Sequence, residues 1–378
     1  MASSASNPVG QSQAPSLQAS DNDKKLSAEG ASTRSQHETI STNRSSSFNV
    51  IVHPYQSRRV PHTCLYELAP TTGGREAPPK HALLFIGGLG DGPHTVPMIR
   101  TVSKEMETAT PDWSVFEVRL ATSFDQWGFR SLEDDRVGIE DAVKFLHSGL
   151  GKEKVVLMGH STGCQDCMVY AKSHTRPDHA QSGTPQIAGY ILQAPVSDRE
   201  YIEMCYHDQN MDLAKSLEYT LDNIRRSGEE AAKEQYMPKT LLPAEYRTAP
   251  ITVYRWHSLT TLGGDDDWFT DTPDISSLGP VWSIFDHAPV LVLPSEKDEC
   301  VPPYIRQDRK LRSWREACPE GKFSDLSGLV PGANHSVEQP EAQQWLTDRV
   351  TFNGKEYPPA AGSGHKTEEG GKEGKNEL

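Results

Sequence analysis

The sequence predicts an α/β fold, a mostly parallel sheet flanked by helices and carrying a helical cap or lid insertion. Three observations lead there. Short apolar runs recur along the chain, helix-like stretches separate the first four of them, and one interval is far too long for a plain crossover. The runs are "HALLFIGG" (81–88), "WSVFEVRLA" (113–121), "KVVLMGHS" (154–161), "IAGYILQAPV" (187–196) and "APVLVLPS" (288–295). Apolar runs of this length without polar alternation mark strands buried on both faces, as in parallel sheets.

Between the runs lie "VPMIRTVSKEMETA", "SLEDDRVGIEDAVKFLHSGL" and "TGCQDCMVYAKSH". The second opens on Ser-x-x-Asp, a helix start signal, and carries apolar Val137, Val143, Phe145 and Leu146 in its body. Strand–helix–strand alternation implies parallel pairing with helices on both faces. Nearly ninety residues, Ser197 to Phe285, then separate two strands. They hold a helical pattern, "MDLAKSLEYTLDNIRRSGEEAAKEQ", and a polar loop, "TLGGDDDWFTDTPD". Long connections in compact domains are usually functional, so 197–285 is read as a cap or lid over a site. The core is then 48–196 with 286–355. Residues 1–47 and 356–378 are polar, nearly free of aromatic residues, and expected to be disordered tails.

Composition narrows the function classes. Acidic residues exceed basic ones by 52 to 38, giving a net charge of −14 and no basic cluster suited to a phosphate backbone. A nucleic-acid partner is therefore not expected. No apolar run is long enough to span a bilayer, and the N-terminus has no apolar signal region. Six cysteines lie at irregular spacings, which suits a reducing compartment. The terminal "KNEL" superficially resembles a retention tetrapeptide, but without an entry signal it would not be read, and a cytoplasmic location is expected.

The chemistry centres on "GHSTG" (159–163). Gly-x-Ser-x-Gly between a buried strand and a helix is the context of a nucleophile elbow, with Ser161 exposed at the strand end. A serine hydroxyl needs a base, and the base an orienting acid, in the chain order Ser, Asp or Glu, His. Asp298 follows the last strand, 137 residues after Ser161, and His335 lies 37 residues further on, in a Gly-containing loop before a helix. The alternative acid is Asp198, after the preceding strand, where Ser197 or Asp198 could equally cap a helix. A tetrahedral oxyanion needs backbone N–H donors, for which Thr162 and, in "GGLGDG", Leu89 are the candidates. That loop lacks the Lys and Ser/Thr of a phosphate-binding loop.

Other features read more plainly. Cys164 and Cys167 form C-x-x-C without a second pair, so neither zinc nor redox chemistry is expected of them. His160, His257, Asp265, Asp266, Asp267 and Trp268 are candidates to line a substrate pocket; an acidic run like this one could bind a cation but is more often a solvated loop. No metal or cofactor is expected.

At "GHSTGCQDCMVY", "LQAPVSDRE", "YRWHSL…GGDDDWF" and "SEKDECVP" the chain resembles a fungal family of α/β-hydrolase-like proteins, much of it uncharacterised. It looks most like intracellular siderophore esterases that cleave fusarinine C and its triacetylated form. The resemblance spans residues 50–355 and implies the α/β-hydrolase fold, with Ser161, Asp298 and His335 as the triad. It also implies hydrolysis of an ester in a ferric hydroxamate siderophore, whose iron arrives with the substrate. An esterase, thioesterase or peptidase for another small acyl compound, and a non-catalytic binding protein on the same fold, remain alternatives.

Overall fold

The computed structural model describes residues 47–70, 77–175, 186–272 and 275–356. All but Ser47 and Glu356 of the two expected tails lie outside the described residues. A seven-stranded sheet runs in the order β1-β2-β4-β3-β5-β6-β7. Its strands are β1 (Val50–Tyr55), β2 (Thr63–Leu68), β3 (His81–Ile86), β4 (Trp113–Val118), β5 (Lys154–His160), β6 (Gly189–Gln193) and β7 (Val290–Leu293). β3 to β7 pair in parallel, whereas β1–β2 and β2–β4 are antiparallel.

The five parallel strands coincide with the five apolar runs, and almost all their residues are buried. Full burial of each large side chain contributes about 1.5–3 kcal/mol. Helices α1 (Met98–Ala109) and α10 (Pro340–Glu356) cover one face, over Phe85, Val115, Met158 and Leu291. On the other face α2 (Leu132–Ser148) and α3 (Thr162–Ser173) pack over Leu84, Phe116, Leu157 and Leu192. The expected start of α2 is a capping box. Ser131 Oγ accepts from the Asp134 N–H, and Asp134 accepts from the Ser131 N–H, both at 3.3 Å.

The antiparallel hairpin β1–β2 has no counterpart in the sequence reading. Its strands are half-exposed, and Pro54 sits within β1, a residue tolerated only at a sheet edge. Such strands lack the continuous apolar signal that betrays buried ones.

Between β6 and β7 the chain forms α4 (Asp198–Asp208), α5 (Leu213–Ser227), α6 (Glu229–Ala232), α7 (Val253–Thr260) and α8 (Leu278–Trp282). The expected single helix of 211–235 is two, α5 and α6. Gly228, at φ +80°, ends the first. Ile202, Tyr206, Tyr246, Val253 and Trp256 give this segment its own buried core, which Trp127 joins from the main body. After β7, α9 (Gln307–Ala317) contributes Trp314 to the α3 side of the sheet. None of the described helices is long and apolar enough to cross a membrane.

Candidate active site

At the end of β5 the backbone turns into α3 through Ser161, whose φ of 53° and ψ of −126° are strained for a residue with a side chain. The flanking glycines explain how that bend closes. A Cβ on Gly159 would stand 2.2 Å from Gly163 O, and one on Gly163 would stand 2.3 Å from Ile86 O. Backbone thus meets backbone on both sides of the serine. Ser161 N–H is held by Gln193 O on β6 at 3.1 Å. Cys164, one turn into α3, donates its thiol to Gln193 O at 3.1 Å and to Gly159 O at 3.3 Å. Burial pushes the Cys164 and Cys167 thiols well above their ordinary range, which suits packing groups rather than nucleophiles.

The loop after β3 comes up against the elbow. A Cβ on Gly88 would lie 2.6 Å from Ser161 Cβ. Asp91 shapes this loop: its Oδ2 accepts the Gly88 N–H at 2.8 Å and its Oδ1 the Thr95 hydroxyl at 2.8 Å. With the Gly88 amide so engaged, Leu89 supplies the next amide of the loop. Thr162 follows the serine at the first turn of α3.

Asp298 and His335 meet across two loops laced together by backbone. Glu296 N–H donates to Val330 O at 3.1 Å and Lys297 N–H to Ala333 O at 2.8 Å. Glu299 accepts the His335 N–H at 2.9 Å. On this frame His335 Nδ1 lies 2.9 Å from both oxygens of Asp298, which also accepts the Cys300 N–H at 2.9 Å. Burial alone would lower the His335 pKa. Its contacts with Asp298 and the Cys300 sulfur override that and hold it up at about 10.

The rings of His160 and His335 stand 5.0 Å apart, centroid to centroid. His160 Nδ1 faces Gln193 Oε1, and Gln193 Nε2 donates to Ser295 Oγ at 3.2 Å. Burial, reinforced by His335, drives the His160 pKa down to about 4, so this ring is neutral.

The alternative acid stands elsewhere. Ser197 caps α4 by accepting the Glu200 N–H at 3.2 Å, and Asp198 accepts Gln165 Nε2 at 2.7 Å. Asp198 belongs to a buried group with Asp135, Asp166, Asp266 and Arg255. Burial first, then Asp266, pushes its carboxyl up to about 7.

The acidic run differs from the expectation of a charged, substrate-facing loop. Asp266 is 1 % exposed and ion-paired with Arg255, whose Nε donates to Trp127 O at 2.9 Å. Asp265 accepts the Tyr254 and Ser258 hydroxyls at 3.0 and 3.2 Å. Asp267 accepts the Gly263 N–H at 2.7 Å and the Thr270 hydroxyl. Asp265 stays exposed, as a solvated loop would have it, whereas Asp266 is turned inward. Trp268 donates to Asp265 O at 2.9 Å, with the Lys172 ammonium 5.4 Å from its ring, and packs against the sheet core. His257, on α7, stacks loosely near Tyr254, ring centroids 6.4 Å apart.

Three contributors escaped the sequence reading. Asp91 was legible in "GGLGDG" as the only charged side chain able to organise that loop. Cys300, two residues after Asp298, and Gln193, at the end of β6, lie in stretches that carry the family resemblance, but their part in the site emerges only from proximity.

Comparison with known proteins agrees with this architecture. A family model described as a protein of unknown function, DUF1749, matches residues 40–353. A UPF0613 protein of Schizosaccharomyces pombe is 31% identical over 284 residues, covering 71% of this chain and 85% of its own. A protein of Aspergillus fumigatus named fusarinine C esterase is 27% identical over 312 residues, covering 71% and 87%. Among solved structures, the siderophore hydrolase EstB of Aspergillus fumigatus superposes with a TM-score of 0.67 at 24% identity. The match covers 84% of this chain and all of that one. The chain therefore belongs to the DUF1749 family, and it is an enzyme of the carboxylic ester hydrolase class on the α/β-hydrolase fold.

Proposed function

We propose that the protein is a serine esterase working through an acyl-enzyme, with Ser161 as nucleophile, His335 as base and Asp298 as orienting acid. The observation that carries this reading is the double contact of Asp298 with His335 Nδ1, made on the same edge of the sheet as the strained serine elbow. Held from Nδ1, the imidazole keeps its proton there and presents Nε2 to the serine hydroxyl. Ser161 Oγ attacks the ester carbonyl as its proton passes to Nε2. The Leu89 and Thr162 amides receive the resulting oxyanion, aided by the positive end of the α3 dipole. Collapse expels the alcohol with the proton returned from His335. A water molecule, deprotonated by the same ring, then releases the acid and restores Ser161.

The substrate class proposed is the ester linkage of a ferric hydroxamate siderophore of the fusarinine type, with its iron as cargo. The fusarinine C esterase among the relatives supports this choice. The six cysteines, all free thiols, support a cytoplasmic setting. Fluorophosphonate labelling and a hydrolysis screen against fusarinine C, its triacetylated form and simple acyl esters test both parts. Parent protein should be labelled at Ser161 and prefer the siderophores. Folded Ser161→Ala should lose labelling and several orders of magnitude in turnover. Labelling with activity only on simple esters would replace the substrate, and an unlabelled parent would leave a binding protein.

A further inference from the structure

We infer that Asp298, Cys300 and His335 form a binding site for a borderline-soft divalent cation of the zinc type, and that its occupation shuts the enzyme off. One ligand atom from each residue lies within 4.8 Å of the other two. A tetrahedral zinc ion, bound at about 2.0–2.3 Å by nitrogen, oxygen and sulfur, sets its donors about 3.3–3.7 Å apart. His335 Nδ1 and Asp298, at 2.9 Å, need open by only about half an ångström to admit the ion, and the Cys300 sulfur lies no more than 4.8 Å from either. The donors suit the ion chemically, since carboxylate, thiolate and imidazole together favour zinc over magnesium or calcium.

The site is also built in advance. Asp298 is 6 % exposed and Cys300 half-buried, so the anchor is held while the sulfur stays accessible. Cys300 rides on the turn that fixes the acid, its N–H on Asp298 Oδ1 and Val301 N–H on Asp298 O at 3.2 Å. The backbone bonds joining 296–297 to 330–333, and the Glu299 contact with the His335 amide, lock the two loops in register. Three protein donors leave a fourth position open, which a water can fill.

Binding replaces protons by the ion. The thiol of Cys300 loses its proton to solvent. If the ring binds through Nδ1, that proton leaves as well and the remaining one sits on Nε2. If it binds through Nε2, the lone pair facing the serine goes to the metal. In both cases His335 has no lone pair left to accept the proton of Ser161. The inhibition rests on His335 being the base, whereas the binding does not.

The two are tested separately. Full-length, chelator-treated protein is titrated with Co²⁺ and followed by the near-ultraviolet thiolate-to-cobalt charge-transfer band, then with Zn²⁺ against ester hydrolysis. The expected result is a one-equivalent cobalt band absent from folded Cys300→Ser. Zinc should inhibit, a chelator should reverse it, and the half-inhibiting concentration should rise at least about ten-fold in Cys300→Ser. A missing band, or an equal band in Cys300→Ser, overturns the site while leaving the esterase reading intact. A Cys300-dependent band with undiminished hydrolysis under saturating zinc overturns the shut-off and, with it, the role given to His335.

Discussion

The loops after β6 and β7 each carry an aspartate near the elbow, yet the two carboxyls live in different surroundings. Asp298 gives both oxygens to one imidazole and takes a backbone N–H besides. Asp198 faces inward, onto Gln165 and a cluster in which Asp135, Asp166 and Asp266 share one guanidinium, that of Arg255. Among the described residues, Asp166 Oδ1, Asp266 Oδ1 and Arg255 Nη2 have no hydrogen-bond partner. The first carboxyl is held against a single imidazole. The second is arranged to hold the inserted segment against the core, from α2 and α3 across to α7. Position after a strand is therefore a poor guide to role, and the partner decides.

The sharpest way to break the comparison is to remove one charge from each loop. Asp298→Asn should lower kcat about 10⁴-fold, as expected when the imidazole loses the group that fixes its tautomer. Asp198→Asn should stay within about ten-fold of the parent. Steady-state rates on one ester suffice, and a reversed ranking would move the acid to the loop after β6.

Next comes the cluster itself. Arg255→Met leaves Asp266 and its neighbours without their cation, and loss of one partner of a buried pair costs about 3–5 kcal/mol. Urea unfolding should register that loss. A shift of less than about 1 kcal/mol would show the pair to be dispensable, within the ordinary range of surface substitutions.

A third test uses pH and unfolding. Burial lifts the Asp135 and Asp198 carboxyls to about 7, from an ordinary value of 3.8. Between those values the folded protein holds more protons than the unfolded chain, so this contribution makes stability fall as pH rises from about 4 to 7. Asp198→Asn should flatten the decline, whereas an unchanged slope would place that titration elsewhere.

The smallest effect is kinetic. A base must be neutral, and a raised His335 pKa keeps the ring protonated to higher pH. The acidic limb of kcat/KM should lie above the ordinary histidine value of about 6.5, where an unperturbed ring would put it, and activity should climb toward pH 10. Cys300→Ser removes one of the contacts that raise the pKa and should move the limb down. A limb at 6.5 in both proteins would mean that Asp298 and Cys300 leave the ring unperturbed.

The parallel strands and the elbow were legible in sequence because both rest on local signals, an unbroken apolar run and glycines two residues either side of a serine. The pairing of Asp298 with His335 was legible because the fold orders such loops along the chain. The acidic run misled for an equally physical reason. Three consecutive aspartates look solvated until the arginine that pairs with one of them, eleven positions earlier on α7, is placed beside it. Gln193 and Cys300 were invisible because their importance is a matter of distance, and one-dimensional patterns carry no distances between strands.

The contact of bare backbone around the elbow bears on how the enzyme can be retuned. Gly159 and Gly163 leave no volume into which a side chain could grow, so variation there is closed to an engineer. The segment between β6 and β7 has a core of its own in Tyr206, Tyr246 and Trp256, while its Phe269, Trp282 and Phe285 join the sheet core. A graft of this segment would have to keep both that internal core and the Arg255–Asp266 pair, whose neighbours Asp135 and Asp166 lie on α2 and α3. Any exchange of residues 197–285 should therefore move them as a block, together with their partners on α2 and α3.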